Sequence, residues 1–177
     1  MKTKLDVIPY LEDLWRYGRV LTGNDSEADD LVQEALVRAL SMATSYDSSR
    51  PLLPWLVTIV RNTFLTHASR AHAERQRLAT FADVSESALP PAQEHSAELS
   101  NVRKALARIP ADQAEILHLV GVLGFTYAEA AELLGVPSGT VMSRLSRARA
   151  ALKQNLENTD GGSSRHFKIV GGRDVAH

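Results

Sequence analysis

Hydrophobic residues recur three or four positions apart along most of this chain, which is the spacing of one face of an α-helix. One such stripe extends from Leu5 to Leu21, and another extends from Trp55 to Phe64. The most regular stripe in the N-terminal half consists of Ala28, Leu31, Val32, Ala35, Leu36 and Ala39. Alanine and leucine are frequent, and runs of β-branched residues are few. The sequence therefore predicts an all-α protein.

Two further stripes lie between Thr126 and Leu152 and are separated by a Gly-Val-Pro sequence. The first consists of Ala130, Ala131 and Leu134, and the second of Val141, Leu145, Ala148 and Leu152. Gly135 can adopt the positive φ that ends a helix, and Pro137 fits the start of the next one. Two helices joined in this way are typical of a helix-turn-helix, whose second helix enters the major groove of DNA.

The outward side of the second helix is basic. Between Ser138 and Lys153 there is no acidic residue, and the basic residues are Arg144, Arg147, Arg149 and Lys153. This charge favours phosphate contact, and the short side chains of Thr140 and Ser143 would let the backbone approach base edges. A helical hairpin with a solvated basic face is the plainer interpretation of the same pattern.

Polar residues near the predicted helix starts are candidate N-caps. Asp25 or Ser26 is expected to cap the helix with the most regular stripe. Asp112 is expected to cap a C-terminal helix, and Ser138 the second helix of the helix-turn-helix.

Composition and charge narrow the function further. The 177 residues suffice for one ordinary domain or two small ones, and the net charge is only −1. Residues 1–40 hold eight acidic and five basic side chains, whereas residues 41–80 hold two and five. The small net charge therefore conceals an acidic segment at residues 1–40 and a basic segment at residues 41–80.

Several classes of site have no sequence signature. There is no cysteine, which excludes disulfides and thiolate metal sites. We find no nucleophile elbow, phosphate-binding glycine loop, metal cluster or paired-carboxylate motif, so we expect no enzyme activity, cofactor or metal. No apolar stretch reaches the length of a membrane span, and the N-terminus lacks a signal-peptide core. We expect a cytoplasmic protein without direct membrane insertion.

The chain is predicted to form two small helical domains joined by a flexible linker. Residues 1–78 would form the N-terminal domain, and residues 98–157 a four-helix C-terminal domain with the helix-turn-helix. Residues 79–97 contain two adjacent prolines among serines and alanines, which is typical of a linker. Residues 158–177 contain four glycines and no periodicity, so we expect a disordered tail.

Two N-terminal features are candidate binding surfaces. The helix with the most regular stripe has an exposed polar side made of Asp29, Asp30, Gln33, Glu34 and Arg38. The simpler interpretation is a polar surface that only contacts solvent. The more specific interpretation is a surface that docks a basic partner. Trp55 begins a basic helix after a proline-stiffened loop, an arrangement that could bind single-stranded DNA by charge and stacking. From the residues alone, a core role is favoured for Trp55.

Together these features resemble bacterial sigma factors of the extracytoplasmic-function (ECF) group of the sigma-70 family. Three blocks carry the resemblance across about residues 5–157: TGNDSEADDLVQEALVRAL, RPLLPWLVTIVRNTFL and ARIPADQAEILHLVGVLGFTYAEAAELLGVPSGTVMSRLSRARAAL. The resemblance implies an alternative sigma factor that binds core RNA polymerase and promoter DNA. It also implies a role in a stress or envelope response, under the control of an anti-sigma factor.

The resemblance also implies roles for individual residues. Those matching the surface that docks on the clamp helices of the largest polymerase subunit are Asp29, Asp30, Gln33, Glu34 and Arg38. Those matching the part that reads and melts the −10 element are Asp47, Arg50, Trp55, Arg61 and Asn62. Those matching the reader of the −35 element are Ser138, Thr140, Ser143, Arg144, Arg147 and Arg149. The flap region of polymerase is a second expected contact. The short RPLLP loop departs from the longer polar loop of many members.

Two other functions remain compatible with the residues. A dimeric operator-binding regulator would use the same helix-turn-helix and predicts a two-fold DNA site. A sigma mimic would only sequester an anti-sigma protein and would have no DNA function.

Overall fold

The computed structural model describes residues 5–78 and 104–159, which contain helices and no strand. The chain divides into two compact units, Met1–Pro91 and Ala92–His177. The all-α prediction is confirmed for the described residues. The predicted linker at 79–97 and residues 160–177 of the predicted tail lie outside them.

Three α-helices lie in the part of the first unit that the structure describes. They are α1 (Leu11–Thr22), α2 (Asp25–Ser41) and α3 (Leu52–Leu78), with short 3-10 helices at Ile8–Tyr10 and Ala43–Ser45. The stripe predicted to start at Leu5 becomes helical only at Ile8, and Pro9 lies in the 3-10 turn before α1. Pro54 lies in the first turn of α3, where its missing N–H costs no helical hydrogen bond.

The core of the first unit is built largely from the predicted stripes, but Tyr17 and Val57 were not predicted members and Ile8 of the first stripe is 75% exposed. Leu14 and Tyr17 of α1 are fully buried, as are Leu56 and Val57 of α3. In α2 the buried residues are Ala28, Leu31, Val32, Ala35 and Ala39. Glycine at position 18 allows α1 and α2 to approach closely, because a Cβ there would lie 3.1 Å from Cγ2 of Val32.

The second unit contains helical residues 104–107, α4 (Ala111–Gly121), α5 (Tyr127–Leu134) and α6 (Ser138–Thr159). Its core is formed by side chains with almost no exposed surface: Ile116, Leu119, Ala130, Val141, Leu145 and Ala148. The Nδ2 group of Asn155 donates a hydrogen bond to the carbonyl of Ala105 at 3.0 Å. The last helix is thereby joined to residues 104–107.

The turn between α5 and α6 has the predicted geometry. Gly135 ends α5 with a φ of 67°, and its N–H and that of Val136 donate to α5 carbonyls. Thr126 and Glu129 form a capping box at the start of α5. The Thr126 hydroxyl accepts from the Glu129 N–H at 3.2 Å, and the Glu129 carboxylate accepts from the Thr126 N–H at 2.8 Å. Both ends of this short helix are therefore satisfied.

The predicted N-caps lie one or two residues too late along the chain. Asn24 caps α2, and its Oδ1 accepts from the N–H groups of residues 26 and 27 at 2.9 and 3.3 Å. Pro110 is the cap residue of α4, which places Asp112 in the first turn. Ser138 is the first residue of α6, and the Pro137 carbonyl accepts from Thr140 N at 2.8 Å. Each helix thus includes residues that the sequence interpretation placed outside it.

Candidate interaction surfaces

The exposed polar side of α2 is the first candidate surface, and we call its five predicted residues the α2 polar surface. Its members are Asp29, Asp30, Gln33, Glu34 and Arg38. The first three are exposed and the last two are half-buried. Asp29 Oδ1 accepts a hydrogen bond from Trp15 Nε1 of α1 at 2.7 Å. The side chains of Asp30 and Gln33 have no hydrogen bond or ion pair within the described residues. The middle of this surface is therefore open to a partner.

Glu34 is held at the other edge of the α2 polar surface. Its Oε2 lies 2.7 Å from Nε2 of His67 in α3, and its Oε1 forms an ion pair with Arg38 one turn along α2. Partial burial would raise the pKa of Glu34. The hydrogen bonds and charges of His67 and Arg38 outweigh that effect, and the pKa is lowered. Glu34 therefore stays ionised and fixed at the junction of two helices.

Apolar side chains extend the α2 polar surface toward the end of the helix. Val37 is 67% exposed and Leu40 57% exposed. They follow Gln33 by four and seven positions, so the three residues share one side of α2. The sequence interpretation missed this apolar part, although both residues fall outside the buried stripe.

The loop before α3 is the second candidate surface. Asp47 Oδ1 accepts from the Ser49 hydroxyl at 2.7 Å and from its N–H at 3.0 Å, and these bonds lower the pKa of Asp47. The Arg50 guanidinium lies 3.7 Å from the same carboxylate. Tyr46 donates its hydroxyl to the carbonyl of Arg50. The loop is thus closed by its own hydrogen bonds while Asp47 and Arg50 remain exposed.

Trp55 is half-buried and packs on Tyr46. The two ring centroids are 5.2 Å apart and the planes are tilted by 46°. Asn62 is exposed and lies two turns after Trp55 on α3, whereas Arg61 is half-buried. Tyr46 was not predicted as part of this surface, because nothing in the local spacing pairs it with a residue nine positions later.

The outer side of α6 is the third candidate surface. Ser138, Ser143 and Arg147 are exposed, and Thr140 is half-buried. The Ser143 hydroxyl donates to the Thr140 carbonyl at 3.0 Å, and Arg147 Nε donates to the Ser143 carbonyl at 3.3 Å. Among the residues that the structure describes, Arg147 is thus bonded only to the backbone of its own helix, and its charge faces solvent.

The other two arginines of α6 have different surroundings. Arg144 Nε lies 3.3 Å from Asp112 Oδ2 at the start of α4, and the Arg144 side chain is 31% exposed. Arg149 is half-buried, and its Nε is buried without a hydrogen-bond partner within the described residues. The sequence groups Arg144 with the outward basic residues of α6, and the structure places its side chain beside Asp112 of α4. Asp112 was not predicted to reach this surface, since 32 positions separate it from Arg144.

Comparison with known families matches both units. The family model described as Sigma-70 region 2 matches residues 7–74, which contain the α2 polar surface, the loop before α3 and Trp55. The model described as Sigma-70, region 4 matches residues 99–152, which contain α4, α5 and most of α6. The ECF RNA polymerase sigma factor EcfG of Rhodopseudomonas palustris is 39% identical over 154 residues, covering 85% of this chain and 83% of the relative. The chain belongs to the ECF sigma factors.

Another relative of this ECF sigma factor is SigC of Mycobacterium tuberculosis. It is 33% identical over 84% of this chain and 80% of its own length. Among solved structures, the sigma factor RpoE in complex with the anti-sigma factor NepR from Bartonella quintana has a TM-score of 0.72 at 34% identity. The match covers 86% of this chain and 94% of that one. CnrH in complex with the cytosolic domain of CnrY has a TM-score of 0.59 at 25% identity, covering 86% and 85%.

These comparisons confirm the sequence-based identification and the two-domain all-α fold. This ECF sigma factor therefore acts in transcription initiation with core RNA polymerase and promoter DNA. Within the described residues, no helix is both long and apolar enough to cross a membrane. The roles of individual residues on the three surfaces stay predictions.

Proposed function

We propose that this ECF sigma factor works in the cytoplasm as a noncatalytic initiation subunit, using the three surfaces described above for polymerase, −10 DNA and −35 DNA. The observation that carries the proposal is the presence on one chain of an open acidic surface on α2 and a basic α6 within a helix-turn-helix. A dimeric operator-binding protein would need only the second of these features.

The α2 polar surface is the proposed site for the clamp helices of the largest polymerase subunit. Asp30 and Gln33 have no internal partner within the described residues and can bind basic or polar groups without losing a bond. Val37 and Leu40 add exposed apolar area beside them. A polar part gives orientation and a fast encounter, and an apolar part gives lasting affinity.

The loop at Asp47 and Arg50, with Trp55, Arg61 and Asn62, is the proposed −10 reader. A half-buried tryptophan braced by Tyr46 offers an aromatic ring of fixed orientation on which an unpaired base can stack. The basic charges of α3 would follow the phosphate backbone of the separated strand. Unstacking a base costs free energy, so a rigid acceptor favours the open state.

The outer side of α6 is the proposed −35 reader. Ser138, Thr140 and Ser143 bring the backbone close to the major groove, and Arg147 supplies exposed positive charge. One small module alone binds DNA weakly, with non-specific dissociation constants of about 10⁻⁴ to 10⁻⁶ M. Polymerase would hold both readers at a fixed spacing, so two weak contacts become one selective contact.

Control by an anti-sigma factor is the proposed regulation, in a stress or envelope response. The Bartonella quintana RpoE structure and the CnrH structure are both complexes, the first with an anti-sigma factor and the second with the cytosolic domain of CnrY. An anti-sigma protein that covered the α2 polar surface or α6 would block a surface needed for initiation.

Run-off transcription with purified core polymerase and a library of promoter fragments tests the proposal. We expect specific transcripts, and we expect the double variant Arg144→Ala/Arg147→Ala to lose them. The matched control is Lys104→Ala/Arg108→Ala, which removes two exposed positive charges from the same unit but outside α6. Equal activity of the two double variants would contradict the −35 assignment. Absence of transcripts with a wild-type chain that still binds core polymerase would instead favour the sigma mimic.

A further inference from the structure

The contact between Asp112 and Arg144 joins the start of α4 to the proposed DNA-reading helix. Asp112 Oδ2 lies 3.3 Å from Nε of Arg144, and this is the only polar contact of the Arg144 side chain within the described residues. The carboxylate is 51% exposed and the arginine side chain 31% exposed. An ion pair that is this exposed to water contributes little to the stability of the fold. We therefore consider a functional role for the pair.

The geometry of the pair determines which N–H donors of Arg144 remain available for a contact with DNA. A guanidinium carries five N–H donors in a rigid plane, and a contact through Nε engages only one edge of that plane. The two terminal nitrogens, Nη1 and Nη2, form the other edge and donate no hydrogen bond within the described residues. Two parallel N–H donors fit the O6 and N7 atoms of guanine in the major groove.

Arg147 provides the contrast on the same helix. It is exposed, and its only polar contact within the described residues is with a carbonyl of its own helix, one turn back. Its long side chain can therefore follow a phosphate over a range of positions. Arg144 is restrained by Asp112 of a second helix, so its guanidinium samples a narrower range of orientations.

We propose that Asp112 is a positioning residue that holds Arg144 for base-specific contact with a guanine of the −35 element. This rests on the proposed role of α6. The ion pair with Asp112 restricts the rotamers of Arg144 before DNA arrives, so less side-chain entropy is lost when the base contact forms. Ordering one such side chain changes binding by about two- to tenfold. Arg147 then supplies sequence-independent affinity, and Arg144 supplies discrimination.

The test uses full-length chain in holoenzyme with core polymerase, on a promoter defined by run-off mapping. Each base pair of its −35 element is changed singly, and binding is measured at several salt concentrations. The variants are Asp112→Asn, Asp112→Glu, Arg144→Ala and the double variant Asp112→Asn/Arg144→Ala. Glu132→Gln is the charge control, because it removes one exposed negative charge from the same unit.

We expect Arg144→Ala to abolish discrimination at one G·C pair. Asp112→Asn should reduce discrimination at that same pair about two- to fivefold, which is the range that a partly exposed ion pair can supply. It should leave the other pairs and the salt slope unchanged. Asp112→Glu should retain part of the discrimination, and the double variant should match Arg144→Ala at that pair.

Two results would overturn the inference while leaving the −35 assignment in place. One is an Asp112→Asn profile identical to wild type beside a base-specific loss in Arg144→Ala. The other is a uniform gain in affinity on all sequences that Glu132→Gln reproduces, which would make Asp112 a general electrostatic brake. If Arg144→Ala itself had no base-specific effect, the proposed role of Arg144 would fail along with the inference.

Discussion

Nε2 of His67 lies 2.7 Å from Oε2 of Glu34, so the edge of the α2 polar surface is bonded to α3. Asp29 is bonded in the same way to Trp15 of α1 at 2.7 Å. The two carboxylates at the sides of this surface are therefore fixed by neighbouring helices. Asp30 between them has no such bond within the described residues. A partner of α2 would meet a surface whose edges are already ordered.

The bonds of Glu34 predict a pH dependence of stability. Its pKa is lowered from an ordinary value of 4.5, so its contribution is complete above pH 4.5 and is lost as the pH falls through the lowered value. Wild type should be slightly more stable than Glu34→Gln at pH 7, and the difference should shrink as the pH falls below 4.5. Urea unfolding at a series of pH values measures this. A difference that grew toward low pH would contradict the assignment.

The exposed apolar end of the α2 polar surface predicts a loss of polymerase affinity without loss of stability. Val37→Glu/Leu40→Glu places charges at positions that are already more than half exposed, so unfolding should change little. An apolar anchor is worth roughly 1–2 kcal/mol in an interface. Binding to core polymerase should therefore weaken by about tenfold or more. Val122→Glu, at an exposed apolar residue of the second unit, is the matched control.

The packing of Tyr46 on Trp55 predicts a defect in DNA opening. Tyr46→Leu removes the ring that braces Trp55 at a centroid distance of 5.2 Å, whereas Tyr46→Phe keeps the ring and loses the hydroxyl bond to Arg50. Permanganate footprinting should show less strand separation with the leucine variant and nearly normal separation with the phenylalanine variant. Initial duplex binding should be unchanged. A premelted template should restore transcription by Tyr46→Leu, and failure to restore it would indicate a fold defect instead.

Local patterns in the sequence were enough to predict the helices, the turn at Gly135 and most of the core. The buried residues of α2 and α6 all belong to the set that the three-and-four spacing selects, although Leu36 and Leu152 of that set are only half-buried. The helix starts were less accurate, because Asn24, Asp25 and Ser26 are all good N-cap types and only the backbone decides between them. The Thr126 and Glu129 capping box was readable from its T-x-x-E spacing but was missed.

Contacts between distant positions could not be predicted in this way. Asp112 and Arg144 are 32 positions apart, and Glu34 and His67 are 33 apart. Such pairs depend on how two helices pack, which periodicity does not specify. The three arginines of α6 show the consequence. The sequence places them together on one basic face. In the structure Arg147 is exposed, Arg144 forms an ion pair with Asp112 of α4, and Arg149 is half-buried.

The capping box of α5 predicts a stability effect that reaches the DNA-reading helix. Thr126→Ala removes the hydroxyl that accepts a hydrogen bond from the Glu129 N–H. Loss of such a cap lowers the free energy of unfolding by about 1 kcal/mol. Because α5 packs on α6, loss of order in α5 should also weaken promoter binding in holoenzyme. Thermal unfolding and promoter binding should both decline with Thr126→Ala and remain near wild type with Thr126→Ser, which keeps the hydroxyl. If stability fell while promoter binding stayed unchanged, α6 would hold its position without a capped α5, and the coupling would be wrong.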